Sequence, residues 1–455
     1  MAKYLKKLKT TAFNRSLSLS KAAVKVGTKA AGHTLKKYTG YDIEEGKQLL
    51  WEKQAEIIVK ELSQLKGAAM KVGQTIAVFG DSFLPKPIVE KFSQLQEDSI
   101  QLKWPEIEKC LIRRLGKEKL AELEIEQQAF AAASIGQVHK AVIKSTGEVI
   151  CLKVQYPGVE AAIDSDINTI KKIFQVMKVL PVDSSQFDEV ITEVRTMLRK
   201  EVDYIAEKKM TDFYREAFKD DDRVKVPKTY ERYTTRKILA TEYCEGVSLQ
   251  DESIKELSQD RKDNLCQALL DVYFYELYEL RVLQTDTHFG NFKFNVKDGV
   301  DQLVLLDFGA CKKYTKPFVE AIKMAQSGVW KNDSEMVEKA LWQCGFLKET
   351  DSEDIINSFV DLVFMHFGFY CDEKSEYYED YAFDDQGKFL FSKSKMVENG
   401  REKALPLAFK IKLRPAPKEF IFFGRKSLGL YGIVSDIGGA IDLQTIMVNM
   451  FGEKP

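Results

Sequence analysis

The sequence predicts an α+β protein of two lobes, one carrying a small sheet and one mostly helical, with a helical segment ahead of both. Three observations predict this. Between about Ile125 and Val154, strand-like runs alternate with turn residues such as Ser145-Thr146-Gly147. From Asp260 onward most apolar residues recur at helical spacing. From Ile43 to Phe79 the pattern is helical as well, with Leu49, Leu50, Ala55, Ile58, Val59, Leu62, Leu65 and Ala69 at three- and four-residue steps. A chain of 455 residues has room for two or three lobes and a substantial core.

The elements follow in order. Residues 1–40 form a basic arm with ten Lys or Arg and no acid. Its apolar residues make no long stripe, so two readings stay open: a solvated arm, or a peripheral contact with a membrane surface or anionic partner. Residues 41–124 are read as a helical extension. Within it, Gly67-Ala68-Ala69-Met70-Lys71-Val72-Gly73-Gln74 is rich in small residues that permit close packing. Lys71 and Gln74 lie about one turn apart on this stretch. Further helices are expected from Lys86 to Gln96 and from Trp104-Pro105.

Residues 125–244 are read as the sheet-bearing lobe with a helical insertion. Phe130 to Ile143 reads as strand, loop, strand, with Ala131, Ala132, Ala133 and Ser134 leading into the loop. Val149 to Val154 is the next strand and carries Lys153 in an apolar setting. That lysine is read either as a phosphate ligand or as an edge-strand lysine in water. Helices are expected over Gly158–Leu180 and Asp188–Phe218. In the second, Glu201 and Asp203 are carboxylates that can face the site, and two readings of Glu201 stay open: a partner of Lys153, or an exposed charge on a helix rich in Lys and Glu. Lys237 to Tyr243 is another strand. Its end, Glu242-Tyr243, is placed at a hinge whose backbone groups are free to bind an adenine.

Residues 245–455 are read as the large, mostly helical lobe. It contains Gln284-Thr285-Asp286-Thr287-His288-Phe289-Gly290-Asn291 and, after a hairpin, Leu305-Leu306-Asp307-Phe308-Gly309. In phosphoryl transfer of the protein-kinase type, an Asp at the first position faces the acceptor hydroxyl. An Asn and a second Asp at these spacings hold the magnesium that bridges the nucleotide phosphates. A polar hairpin between two strands is the plainer reading, and the two are compatible. After Gly309 a helical pattern resumes by Tyr314-Thr315-Lys316-Pro317. That leaves little room for a peptide platform. An acidic, tyrosine-rich loop is expected over Asp372–Gln386, and a last apolar helix over Phe420–Ile437.

Composition narrows the classes. Hydrophobic residues make up 44% and charged residues 30%, with a net charge of −1. This is an ordinary globular balance, and no nucleic-acid partner is expected. The seven cysteines form no CxxC pair, which points to a reducing compartment. The four histidines show no zinc-ligand spacing. No run reaches the roughly 18 to 20 apolar residues that span a bilayer.

In order, the chain carries Lys71-x-Gly73-Gln74, Ala131-Ala132-Ala133-Ser134-x-Gly136-Gln137-Val138, Leu152-Lys153-Val154-Gln155-x-Pro157-Gly158-Val159, Glu201-x-Asp203, Asp286-x₄-Asn291 and Asp307-Phe308-Gly309. This series resembles the UbiB family of atypical kinases, also called AarF-domain or ADCK proteins, from about Leu65 to Ala310. The resemblance implies a bilobal protein-kinase-like fold whose helical N-terminal extension packs over the active site and blocks peptides. By matching position it implies that Lys153 contacts the phosphates and that Ala131, Ala132, Ala133 and Ser134 replace the glycine-rich nucleotide loop. It further implies that Asp286 is the catalytic-loop Asp, that Asn291 and Asp307 bind the metal, that Glu201 pairs with an active-site lysine, and that Lys71, Gln74 and Asp203 are regulatory.

The cofactors implied are ATP with Mg²⁺ or Mn²⁺. The implied setting is isoprenoid-quinone or related lipid metabolism, with a membrane surface, a prenyl lipid or quinone-biosynthesis proteins as partners. Localisation is expected to be cytoplasmic with peripheral membrane association, or an organelle matrix in a eukaryote. An ATP-sensing scaffold without catalysis is the alternative, and protein phosphorylation is disfavoured by the short segment after Asp307. Two departures from the family pattern stand out. Gln284 replaces a His, and the loop lacks both prolines that would restrict it.

Overall fold

The computed structural model describes residues 101–133, 135–177, 184–286, 289–371, 373–411 and 416–452, with six isolated positions before residue 60. The basic arm, Lys71, Gln74, Ser134, Thr287 and His288 therefore lie outside the described residues. The chain divides into two compact units. One comprises Met1–Phe213 with Pro227–Tyr243, the other Tyr214–Val226 with Cys244–Pro455.

The first unit is built on a five-stranded antiparallel sheet. Helices α1 (Trp104–Leu115) and α2 (Lys117–Ala121) lead into strand β1 (Leu123–Ile125). Strands β2 (Ala131–Ala133), β3 (Gly136–Ile143) and β4 (Val149–Gln155) follow. Helices α3 (Val159–Met177), α4 (Ser184–Glu201) and α5 (Tyr204–Ala217) precede the closing strand β5 (Ile238–Glu242). The strand order is β1-β3-β4-β5, and β2 pairs with the start of β3.

Side chains alternate between the two faces of a strand, and cross-strand partners share a face. His139, Leu152 and Ala240 form one such row, all fully buried. α1 belongs to this side. Trp104 lies 5.5 Å from the His139 ring, and the Gln137 amide accepts from Leu102 N at 2.8 Å. Arg114 of α1 donates to the carbonyls of Gln155 and Lys237 at 2.7 and 3.0 Å, tying the helix to adjacent strand ends. The opposite face carries Val138, Lys153 and Leu239 in one row and Lys140, Cys151 and Thr241 in the next. Gly136 is required at the start of β3, because a Cβ there would meet Val154 O at 2.5 Å.

One helix expected over Asp188–Phe218 is two. α4 ends at Glu201, and the Asp203 carboxylate accepts from Ile205 N and Ala206 N at 3.1 and 3.3 Å. A carboxylate that satisfies otherwise orphaned N–H groups starts a new helix there.

The second unit is mostly helical. α6 (Gln259–Phe274) passes into a π-helical turn at Tyr275–Leu280, closed by Arg281 in the left-handed region at φ 53°. Four short strands follow: β6 (Val282–Gln284), β7 (Phe292–Asn295), β8 (Gln302–Leu305) and β9 (Cys311–Lys313). β7 and β8 form the expected hairpin, and β6 pairs antiparallel with β9. The helices α7 (Lys316–Trp330), α8 (Ser334–Gln343) and α9 (Glu353–His366) come next. Strand β10 (Phe389–Leu390) precedes α10 (Met396–Lys410) and α11 (Lys418–Ile437). The chain continues past α11 with β11 (Ala440–Ile441) and α12 (Leu443–Phe451), so the helix expected to be the last is followed by another. β10 pairs with β11, which anchors that last segment. All seven cysteines are free thiols. Among the described residues no helix is long and apolar enough to cross a membrane.

Candidate functional site

Two groups of side chains stand out, one in each unit. In the first unit, Lys153 sits in the middle of β4 with its side chain only 15% exposed. Its ammonium donates to Glu207 Oε1 at 2.7 Å, and Glu207 is 2% exposed. The structure thus pairs Lys153 with Glu207 of α5, a residue the sequence reading did not single out. Glu201 is the last residue of α4, and the helix break at Asp203 turns the chain before Glu207 is reached. Asp203 holds that break through its capping bonds and stands 3.4 Å from Arg236 Nη2. Glu207 lies in the first turn of α5, a helix start that only the capping bonds of Asp203 reveal.

Ala131, Ala132 and Ala133 form β2 against the start of β3, so the alanine-rich stretch is a strand and turn beside Lys153's cross-strand neighbour Val138. At the end of β5, the Glu242 N–H donates to Lys228 O at 2.8 Å and the Tyr243 N–H to Val149 O at 3.1 Å. The expectation of free backbone donors at Glu242-Tyr243 is therefore corrected: sheet-edge contacts take both N–H groups. Tyr243 presents its ring instead, with Lys140 Nζ 3.9 Å from the ring centroid.

In the second unit, one side chain ties the backbones of Asp286 and Asp307 together, and Asn291 joins them through its own amide. Gln284 Nε2 donates to Asp286 O at 2.8 Å and to Asp307 O at 3.2 Å. Asn291 Nδ2 donates to Asp286 O at 2.9 Å, and Leu306 N to Asn291 O at 3.0 Å. Thr285 bonds Ala310 O through both its N–H and its hydroxyl. The Asp307 carboxylate accepts from Gly309 N at 2.9 Å. Phe308 is 2% exposed, with its ring 4.5 Å from that of Tyr214. The segment after Asp307-Phe308-Gly309 is consumed by β9 pairing with β6, and α7 begins at Lys316 behind its Thr315 cap.

Beneath these residues runs a buried polar chain that the sequence reading did not single out. Glu276, on the π-helical turn, accepts from the Tyr214 hydroxyl at 2.8 Å and from Gln284 N at 3.3 Å. Burial and the Glu276 charge push the Tyr214 hydroxyl well up, so it stays protonated and donates. Glu276 also lies 3.2 Å from Lys426 Nζ, both almost fully buried. The neighbouring Arg425 places Nη2 3.1 Å from Asp286 Oδ1. A small pocket is lined by Glu276, Gln284, Asn291, Asp307 and Lys426 among others. The signal for Arg425 and Lys426 was available: two cations within an apolar helix must find carboxylates.

A divalent cation can be held here by oxygen. Among the described residues no cluster of three His, Cys, Asp or Glu forms a metal cage on its own. Asn291 spends its amide nitrogen on Asp286 O, which leaves its amide oxygen as the ligand atom. With the Asp307 carboxylate, that makes the sparse oxygen set that suits Mg²⁺, whose shell is completed by phosphate oxygens and water.

Residues 94–341 match the model of the ABC1 atypical kinase-like domain. The chain belongs to that family. As an ABC1 atypical kinase-like protein it contains Lys153, Glu207, Asp286, Asn291 and Asp307 within the matched span, with Arg425 and Lys426 outside it. The family match bears out the UbiB resemblance, the α+β kinase-like fold and the kinase-like class.

Relatives agree over nearly the whole chain. It is 28% identical to "Atypical kinase COQ8B, mitochondrial" of Danio rerio, covering 98% of this chain and 69% of that one. It is 26% identical to "Atypical kinase COQ8, mitochondrial" of Saccharomyces cerevisiae, covering 98% and 86%. The relative of that name in Schizosaccharomyces pombe is 26% identical, over 94% and 67%. A solved structure of Rv3197 with erythromycin from Mycobacterium tuberculosis has a similar fold, with TM-score 0.58 and 22% identity over 90% of this chain.

Proposed function

We propose that this chain is an ATP-dependent atypical kinase or ATPase that acts in, or supports, isoprenoid-quinone or related lipid metabolism rather than phosphorylating proteins. The observation that carries the reading is the Asp286-Asn291-Asp307 arrangement, locked by Gln284 and followed almost at once by the β9 pairing and α7. Asn291 and Asp307 hold Mg²⁺ or Mn²⁺, which neutralises phosphate charge when bound. Lys153, oriented by Glu207, binds phosphate oxygens. Asp286 orients the attacking hydroxyl or water. Catalysis on this reading comes mostly from positioning and charge neutralisation.

The lipid setting rests on the relatives named atypical kinase COQ8 and COQ8B, together with the short segment after Gly309, which offers no long peptide platform. The names of those relatives also place them in mitochondria, which supports an organelle matrix for this chain if its source is eukaryotic. The charge of the basic arm supports peripheral membrane association, a solvated arm being the other reading.

Purified protein with Mg-ATP tests the reading. Asp307→Asn is expected to abolish turnover, and unchanged hydrolysis in that variant would sink the assignment. Nucleotide binding without turnover in the unmodified chain, with or without anionic liposomes, would favour the ATP-sensing scaffold. Robust phosphorylation of a peptide in trans would revive the protein-kinase reading.

A further inference from the structure

The loop around Asp286 lacks the prolines that would restrict it, and Gln284 stands where the family places a His. Something else must hold the Asp286 carboxylate in one direction. We propose that Arg425 is a positioning residue for the reaction, and that α11 braces the catalytic loop from outside the segment that contains it. The proposal rests on the role given to Asp286 above.

Three observations carry it. Arg425 Nη2 reaches Asp286 Oδ1 at 3.1 Å, and both side chains are mostly shielded, at 24% and 20% exposure. A charge-assisted bond between such groups fixes a carboxylate more firmly than a neutral donor does. The next residue, Lys426, pairs with buried Glu276, and Glu276 accepts from the backbone of Gln284, two residues before Asp286. One turn of α11 therefore grips both the side chain of Asp286 and the strand that delivers it. α11 itself is anchored: Ser427 bonds the Tyr273 hydroxyl of α6 at 2.7 Å, and Phe423 is fully buried. A helix so fixed acts as a rigid support for the loop.

The guanidinium makes the carboxylate directional and leaves the metal ligands Asn291 and Asp307 to their own contacts. Its loss frees the Asp286 side chain to turn and affects nucleotide binding little. The signature is thus a fall in kcat with little change in KM for ATP.

The test is a double-mutant cycle on the intact chain with Mg-ATP. Arg425→Gln is expected to lower kcat by about tenfold to 100-fold, the scale of a misplaced catalytic group, with KM nearly unchanged. Arg425→Lys should recover part of the loss, because it keeps the charge but not the planar fork. In an Asp286→Asn background, Arg425→Gln should cost little more, since the partner is already gone. An equal loss in both backgrounds, or a change in KM alone, would overturn the proposal. Hydrogen exchange of the loop amides from Thr285 to Asn291, without nucleotide, reads the same coupling independently of turnover. Arg425→Gln should speed that exchange in the unmodified background and not in Asp286→Asn. Unchanged exchange there rejects the brace even if the protein proves to have no ATPase activity. Absent turnover with coupled exchange instead counts against the proposed activity alone. Thermal unfolding of each variant identifies general misfolding, and Arg425→Lys serves as the milder variant if Arg425→Gln fails to fold.

Discussion

The ammonium of Lys153 lies 2.7 Å from Oε1 of Glu207, on α5, six residues beyond the Glu201 that ends α4. The pair is one-sided in burial, at 15% and 2% exposure. Glu207→Gln keeps the shape and removes the charge. It is expected to destabilise the protein toward the lower end of the roughly 3–5 kcal/mol seen when a buried pair is broken. It should also weaken ATP binding, with Glu201→Gln showing the smaller effect on both. Urea unfolding and a nucleotide titration check this, and a larger effect from Glu201→Gln would reverse the assignment.

Gln284 carries two loops on one amide nitrogen, bonding the carbonyls of Asp286 and Asp307. Gln284→Leu removes the donor and leaves both carbonyls without it. A loss of about 1–3 kcal/mol in stability is expected, the usual cost of an unsatisfied buried group. Turnover should fall in kcat more than in KM, because the metal and acceptor residues are displaced together. Gln284→His retains a ring donor and should fall between. Steady-state ATPase assays beside denaturant curves separate the two effects.

The Glu276–Lys426 pair is almost fully buried, at 1% and 4% exposure. Lys426→Met removes the cation beside buried Glu276 and should cost about 3–5 kcal/mol, the scale of a broken buried pair. The double variant Glu276→Leu with Lys426→Met should recover part of that cost, since neither charge then remains buried. Strictly additive losses in chemical denaturation would show that the two residues do not depend on each other.

His366 gives a pH dependence. It sits at the end of α9 against Phe367 and Tyr431, and burial lowers its pKa from 6.5 to about 4. The folded protein keeps the ring neutral, while the unfolded chain takes up a proton below about pH 6.5. Stability is therefore lost as pH falls from about 6.5 toward 4, and the slope flattens below that. The single residue contributes at most about 3 kcal/mol across this window. Thermal unfolding between pH 4 and 7 should show a shallower decline in His366→Leu than in the parent (a range set by the same two pKa values).

Much of the first unit's sheet was legible in the chain. Alternation over Phe130–Ile143 and Val149–Val154 marks β2, β3 and β4, because one sheet face is buried and the other is not. The hairpin after Asn291 was also legible, since Lys297-Asp298-Gly299 is turn chemistry between apolar runs. The break at Val202–Asp203 was not, because Lys and Glu on either side continue a helical pattern and only the capping bonds of Asp203 interrupt it. The N–H donors of Glu242-Tyr243 were misjudged for a similar reason. They are claimed by Lys228 and Val149, residues distant in sequence.

The sequence by itself determined the strand and helix periods and the order of the Asp, Asn and Lys positions. These are local properties: side-chain alternation, turn residues and fixed spacings along one chain. Only the tertiary structure decided which charges meet. Glu207, which the sequence reading did not single out, reaches Lys153, and Arg425 crosses 139 residues to Asp286. An ion pair depends on where two backbones are carried by packing, and a cation shielded from water takes whichever carboxylate the fold brings within about 3 Å.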